Sequence, residues 1–220
     1  MNDFSEDELV SFLEENRDQT EADILIKKGE TILKLTRNRL SLPSLAQMQL
    51  PRVDLCGADL SYCDLCGANL EEALLVGSTF TQADMMETNF IKANLGGAGF
   101  FDADITNARF DGANLAKVDF SEVNAEGARF SGADIGHGSI LMDANFAGAD
   151  LSNTSMKGAK LKAADLTGAN LRGADLRGAE DLTVAQLRSA TIDPTTRLPA
   201  YMNIHWINDQ EYECEIKEEE

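Results

Sequence analysis

A mainly β fold is predicted for this 220-residue sequence: a four-sided solenoid of about six coils with helical segments at both ends. Three observations carry that prediction. From about residue 50, every fifth residue is Leu, Phe, Ile or Met; the residue two before it is usually Ala; and Asp or Asn stands between them. The pattern A(D/N)LxG is plain at Ala58-Asp59-Leu60, Ala68-Asn69-Leu70, Ala113-Asn114-Leu115, Ala149-Asp150-Leu151 and Ala174-Asp175-Leu176.

An α-helix repeats about every 3.6 residues and a strand every two, so a strict period of five requires a backbone that turns a corner in each repeat. Four such repeats make one coil, and coils stack at about 4.8 Å, the spacing of hydrogen-bonded strands. The central residue and the small residue two before it point inward, and the Asp or Asn and the two following residues face outward. Central positions run in phase from Leu55 to Ile140; one extra residue near Met142-Asp143 then resets the phase at Phe146, and the series ends at Leu176.

Wrapped four to a coil, the central residues form ladders. One ladder is Leu60, Phe80, Phe100, Phe120, Ile140, Leu161, and the one across the core is Leu70, Phe90, Phe110, Phe130, Leu151, Leu171. Facing Phe stacks are therefore expected through the middle coils, each ring contributing about 2–3 kcal/mol by burial. Ala125 sits between Phe120 and Phe130, where space is short.

These repeats resemble the pentapeptide-repeat family over about 125 residues. The resemblance implies a right-handed quadrilateral β-helix. It does not imply one function: the family includes proteins that protect DNA gyrase by imitating DNA, alongside many bacterial, especially cyanobacterial, members of unassigned role. Fold and function are separable.

An open solenoid must cover its terminal coils, or its edges would pair with other chains. Residues 1–48 are expected to be a helical N-terminal cap. Ser5-Glu6-Asp7-Glu8 reads as a capping box, and a second helix is expected from Thr20 or Glu21 to about Arg37, with Gly29 as its weak point. The solenoid is assigned to residues 49–180, with repeat-like spacing already visible at Leu45 and Leu50. Residues 181–200 form a capping helix and loop, in which Thr183 caps a turn carrying Val184, Leu187 and Ala190. Gln186-Leu187 and Thr196-Arg197-Leu198-Pro199 resemble the closing segment of many family members. Residues 201–220, with Trp206 and a run of Glu, read as an acidic tail, mobile or docked on the chain itself.

The formal charge is −19, from 19 Lys plus Arg against 38 Asp plus Glu, and it is spread along the chain. Such a field repels nucleic acid and anionic membranes and favours a basic partner. There is no apolar run of membrane-spanning length, and the first residues are acidic where a leader peptide is basic, so a cytoplasmic location is expected. Cys63 and Cys66 have zinc-like spacing, but the repeat turns Cys63 inward and Cys66 outward, so neither a metal nor a cofactor is expected. His137 and His205 lack a nucleophile or carboxylate at motif spacing, and the many Asp residues belong to the repeat, so the chain is expected not to be an enzyme.

Outward apolar residues give the candidate contact surface. Met86, Ile91 and Phe101 wind around the early coils; Leu141 and Met142 mark the insertion; Trp206 lies in the tail. Phe101 and Leu141 are expected on one face, two coils apart, with Ser121 between them. The sequence thus predicts a rigid acidic scaffold, monomeric or homodimeric, that binds a still unidentified protein. DNA mimicry against gyrase or another DNA-handling enzyme is the alternative, opposed by outward cations such as Arg109, Arg129 and Lys157.

Overall fold

The computed structural model describes residues 23–28, 31–36, 45–208 and 211–217. Its body is a solenoid in which the residue before each central one pairs in parallel with its counterpart one coil on, twenty residues ahead in the regular coils, as in Asp54 with Leu74 and Asp84 with Asp104. Four pentapeptides therefore complete each coil, from Leu45 to Leu176.

One repeat accounts for all its backbone donors. Leu55 N–H donates to Leu74 O, Gly57 N–H to Val76 O, and Leu74 N–H back to Val53 O. Ala58 N–H closes the corner on Leu55 O, a turn whose third residue takes positive φ: 69° at Gly57, and 56° at Lys92 in another repeat. The remaining N–H, on the residue after the central one, is taken by the Asp or Asn side chain: Cys56 N–H donates to Asp54 Oδ1 and Thr106 N–H to Asp104 Oδ1. That bond is the physical reason for Asp or Asn in the repeat. Asn side chains also bond coil to coil, Asn89 Nδ2 to Asn69 Oδ1 and Asn114 Nδ2 to Asn94 Oδ1.

The core is the predicted pair of Phe ladders. Rings stack along each column at 4.8 Å (Phe80–Phe100, Phe90–Phe110) and 4.9 Å (Phe110–Phe130), and meet edge-on across the core at 6.1 Å (Phe100–Phe110). Above Ala125, Phe146 packs edge-on against Phe120 at 6.3 Å and Phe130 at 5.7 Å. The polar residues in the small position are buried and bonded: Ser78 Oγ donates to Leu55 O and Thr88 Oγ1 to Leu65 O.

The insertion lies earlier than predicted. Ile135 and Leu141 are both central and fully buried, Ile140 is only half-buried, and Ser139 takes the small position expected for Gly138. The extra residue therefore sits in the Gly136-His137-Gly138 corner, where His137 (φ 61°) and Gly138 (φ 84°) are both left-handed. Ser139 holds the shifted chain in place. Its Oγ accepts from Val118 N–H and lies within bonding distance of Gly136 O and Leu115 O.

At the C-terminal end the chain makes one irregular coil. Leu182, Leu187 and Ile192 are buried and Leu198 packs against the core, so they close the ends of the four columns. Helix α1 (Val184–Ser189) carries Leu187, and Thr183 and Gln186 form its capping box. Gln186 Nε2 also donates to Leu161 O and Ala164 O, fixing the helix to the coil beneath.

At the ends, one expectation is corrected and one alternative is selected. Instead of a second N-terminal helix, the described residues form an antiparallel hairpin, β1 (Asp23–Lys28) and β2 (Thr31–Thr36), pairing Ile24 with Leu35 and Ile26 with Leu33. The β-branched Ile24, Ile26, Thr31 and Ile32 favour strands, and Gly29 falls between them as a turn signal rather than a flaw in a helix. The first predicted helix lies outside the described residues. The acidic tail is likewise a hairpin, β3 (Met202–Trp206) with β4 (Tyr212–Ile216). It docks in cis: Met202 and Cys214 are buried, Tyr212 Oη donates to Leu187 O, and Tyr201 Oη bonds both Leu182 N–H and Leu182 O. Alternation of apolar Met202, Ile204 and Trp206 with polar Asn203 and His205 gives the hairpin one adhesive face, so the Glu residues are carried outward.

Candidate interaction surfaces

The solenoid has four outer faces, named here by a central residue in each: the Leu65, Phe90, Leu75 and Phe80 faces. The six residues predicted to form a contact surface are distributed over them. Met86 is half-buried on the Leu65 face and Ile91 half-buried on the Phe90 face, while Phe101 (41% exposed) and half-buried Met142 share the Phe80 face. Trp206 is half-buried in the C-terminal hairpin, its ring 5.2 Å from that of Tyr212. Leu141 is not a surface residue. With the insertion at residues 136–138 it enters the core, and Met142 occupies the place on Phe101's column that Leu141 was expected to hold. Tyr62 and Leu74 are further exposed apolar residues of the early coils, beside the outward-facing Val76.

Charge is segregated around the rod. The Leu65 face carries Asp64, Asp84 and Asp104 in successive coils, with Glu87 and Glu126 beside them, and neither Lys nor Arg from 64 through 169 on that face. The field is felt by Cys66, whose thiol is pushed up first by burial and then by Asp84, Asp64, Glu87 and Asp104. On the Phe90 face, Arg109 and Arg129 pair in adjacent coils and flank Asp111, with Arg129 Nη2 3.2 Å from Asp111 Oδ1. On the Leu75 face, Asp175 is held by Arg177 at 2.7 Å, Lys157 at 3.4 Å and Arg197 at 3.6 Å. The Arg177 hydrogen bond is the main reason its carboxyl lies far below the usual range.

The thiols do not converge. Cys63 is buried and pushed up to about 12 by burial, whereas Cys56 is exposed and Cys66 half-exposed. Among the described residues no three His, Cys, Asp or Glu side chains come together to hold a metal, and no helix is long and apolar enough to cross a membrane. His137 Nε2 stands 3.6 Å from Asp134 Oδ2 at the surface, and His205 is exposed on β3 opposite Glu213.

Comparison with known proteins agrees with the repeat. A family model described as a pentapeptide repeat region matches residues 53–130, and one described as pentapeptide repeats (8 copies) matches residues 139–178. Comparison with curated proteins found no match. Among solved structures, HetL, involved in heterocyst differentiation regulation in the cyanobacterium Nostoc sp. strain PCC 7120, is 29% identical over 60% of this chain, with a TM-score of 0.27. The match spans 62% of the length of HetL. A pentapeptide repeat protein from the Arabidopsis thaliana thylakoid lumen is 29% identical over 61% of this chain and 78% of its own, with a TM-score of 0.32. A trypsin-treated form of QnrB1, a plasmid-mediated fluoroquinolone resistance protein, is 21% identical over 76% and 87%, with a TM-score of 0.39. The two family models together span more than half of the 220 residues, and the five-residue core period runs through both matched stretches, so the chain belongs to the pentapeptide-repeat proteins.

Proposed function

We propose that the chain is a non-catalytic cytoplasmic scaffold whose acidic Leu65 face binds a protein with a basic surface. The observation that carries this reading is the row of three carboxylates on the Leu65 face. Asp64, Asp84 and Asp104 stack at strand spacing on a face whose own repeats supply neither Lys nor Arg from residue 64 through 169. A fixed row of like charges costs self-repulsion, which a partner of opposite charge relieves and which steers its approach.

The test is affinity capture from native lysate with the wild-type chain and with the triple variant Asp64→Asn, Asp84→Asn, Asp104→Asn. Asn keeps the Oδ1 acceptor that closes each corner, so the variant changes charge and not fold. Loss of the captured protein with the variant, and at high salt, supports the reading; undiminished capture overturns it. Recovery of gyrase or another DNA-handling enzyme would favour mimicry instead. The cations of the Phe90 and Leu75 faces weigh against that alternative, because they break the negative surface on two of the other three sides of the rod.

A further inference from the structure

The Phe80 face departs from the repeat in a way the fold does not require. At the position normally held by Asp or Asn it carries Thr79, Gly99 and Ile140, giving up the side-chain acceptor that closes the corner. Between Thr79 and Met142 the flat of this face holds one charge, Asp119, whose Oδ1 already accepts from Ser121 N–H and Oγ–H. Rules broken without local gain point to an intermolecular role.

We propose that this face is the interface between two copies of the chain, set side by side with their axes parallel and related by a two-fold axis that runs along the rods. Such an axis reverses the face from side to side while keeping each coil level with its counterpart. Exposed Phe101 then lies opposite Gly99 of the second copy. Gly99 offers a shallow notch: a Cβ there would meet only Thr79 Cγ2, at 3.5 Å. By the same operation Ile140 lies opposite Met142, Thr79 opposite Thr81, and Asp119 opposite Ser121.

Charge complementarity selects this arrangement. One long edge of the face is acidic, with Asp102, Glu122 and Asp143 in successive coils; the other is the Leu75 corner, where Lys117 and His137 stand. Reversal sets Glu122 level with Lys117 of the second copy, an opposite-charge pair that occurs twice, and sets Asp143 level with the imidazole of His137, a hydrogen-bond donor. An antiparallel arrangement sets each edge against its own kind. The next coil ends the interface, because Lys160 and Lys162 would face each other there. Four coils at about 4.8 Å and three extended residues of about 3.3 Å each give a flat of about 20 by 10 Å. That is about 200 Å² per copy, well below the roughly 800 Å² per partner of a standard specific interface, so the dimer is expected to be weak and transient, with a dissociation constant in the high-micromolar to millimolar range.

Sedimentation velocity of the full chain over a concentration series up to about 1 mM tests the proposal. The expected result is a reversible monomer–dimer equilibrium. Gly99→Arg fills the notch and Phe101→Ser removes its occupant; each should weaken the dimer at least tenfold. Both keep the fold, since Arg109 and Ser121 occupy the same repeat positions, and unchanged circular dichroism checks this. Lys117→Glu and Glu122→Lys should each weaken dimerisation, and the double swap should restore it, which only a parallel two-fold pairing predicts. A chain that stays monomeric throughout overturns the proposal. So does a dimer indifferent to Gly99→Arg and Phe101→Ser, or a double swap no tighter than the single variants. The proposal uses a different face from the scaffold reading, so either can fail alone.

Discussion

Replacing Phe110 with Ala removes a ring that four other Phe rings enclose. Phe110 is fully buried, stacks on Phe90 at 4.8 Å and on Phe130 at 4.9 Å, and meets Phe100 and Phe120 edge-on at 6.1 and 6.3 Å. The rings above and below are held at the coil spacing by backbone hydrogen bonds, so the column cannot collapse into the gap. The cost should therefore lie in the upper part of the range for Phe→Ala, about 4–5 kcal/mol. Phe110→Leu should cost far less, about 1–2 kcal/mol, because Leu70 and Leu151 already occupy this column. Urea unfolding measures both; with an m-value of about 3 kcal/mol/M, the Ala variant should lose more than about 1 M in midpoint. Hydrogen exchange should accelerate first in the coils next to residue 110, because each coil contacts only its neighbours. Equal costs for Ala and Leu, or a cost below about 1 kcal/mol for Ala, would refute the view that rigid coil spacing prevents relaxation.

Other outcomes are accessible with the same protein. Ser139→Ala leaves the shifted corner without the group that bonds Val118 N–H, Gly136 O and Leu115 O, and should cost about 1–3 kcal/mol in urea unfolding, whereas Ser131→Ala at the surface should cost little. Maleimide labelling followed by mass spectrometry should modify exposed Cys56 first and leave Cys63, buried and pushed up to about 12, unmodified until the chain unfolds. Asp175 has a carboxyl below its unfolded value, chiefly through Arg177, so its stabilisation is present above about pH 4 and is lost as the pH falls through the folded value. The stability difference between wild type and Asp175→Asn, measured by thermal melts, should therefore shrink on acidification below about pH 4; solvent screening keeps it modest.

The five-residue period made the solenoid, the Phe ladders and the inward turn of Cys63 legible from sequence. Each repeat is a local unit whose side-chain directions follow from its own backbone, so one pattern repeated many times leaves little to tertiary choice. The surface was less legible. The outward apolar residues look alike in sequence, yet Met86, Ile91 and Phe101 fall on three different faces, and one inserted residue turned Leu141 from surface to core. Around that insertion two phases overlap. Ile140 satisfies the old one and Leu141 the new one, both apolar, so hydropathy alone does not decide between them. The decision belongs to Ser139, whose hydroxyl can bond Val118 N–H, Leu115 O and Gly136 O only when it sits in the small position.

By itself, then, the sequence determined the coil, its four columns and the acidic character of its surface, because these depend on contacts a repeat makes with copies of itself. Only the tertiary structure decided the ends and the edges. The segment around Gly29 satisfies helical and strand patterns alike, and cross-strand pairing resolves it as a hairpin. The Glu-rich tail reads as solvated until its alternating apolar face finds Leu187 and Leu182 at the closing coil. Which carboxylates share one column, and which face is left nearly uncharged, follow from wrapping positions twenty residues apart onto one column, a relation fixed by the coil and shifted by a single residue at the Gly136-His137-Gly138 corner.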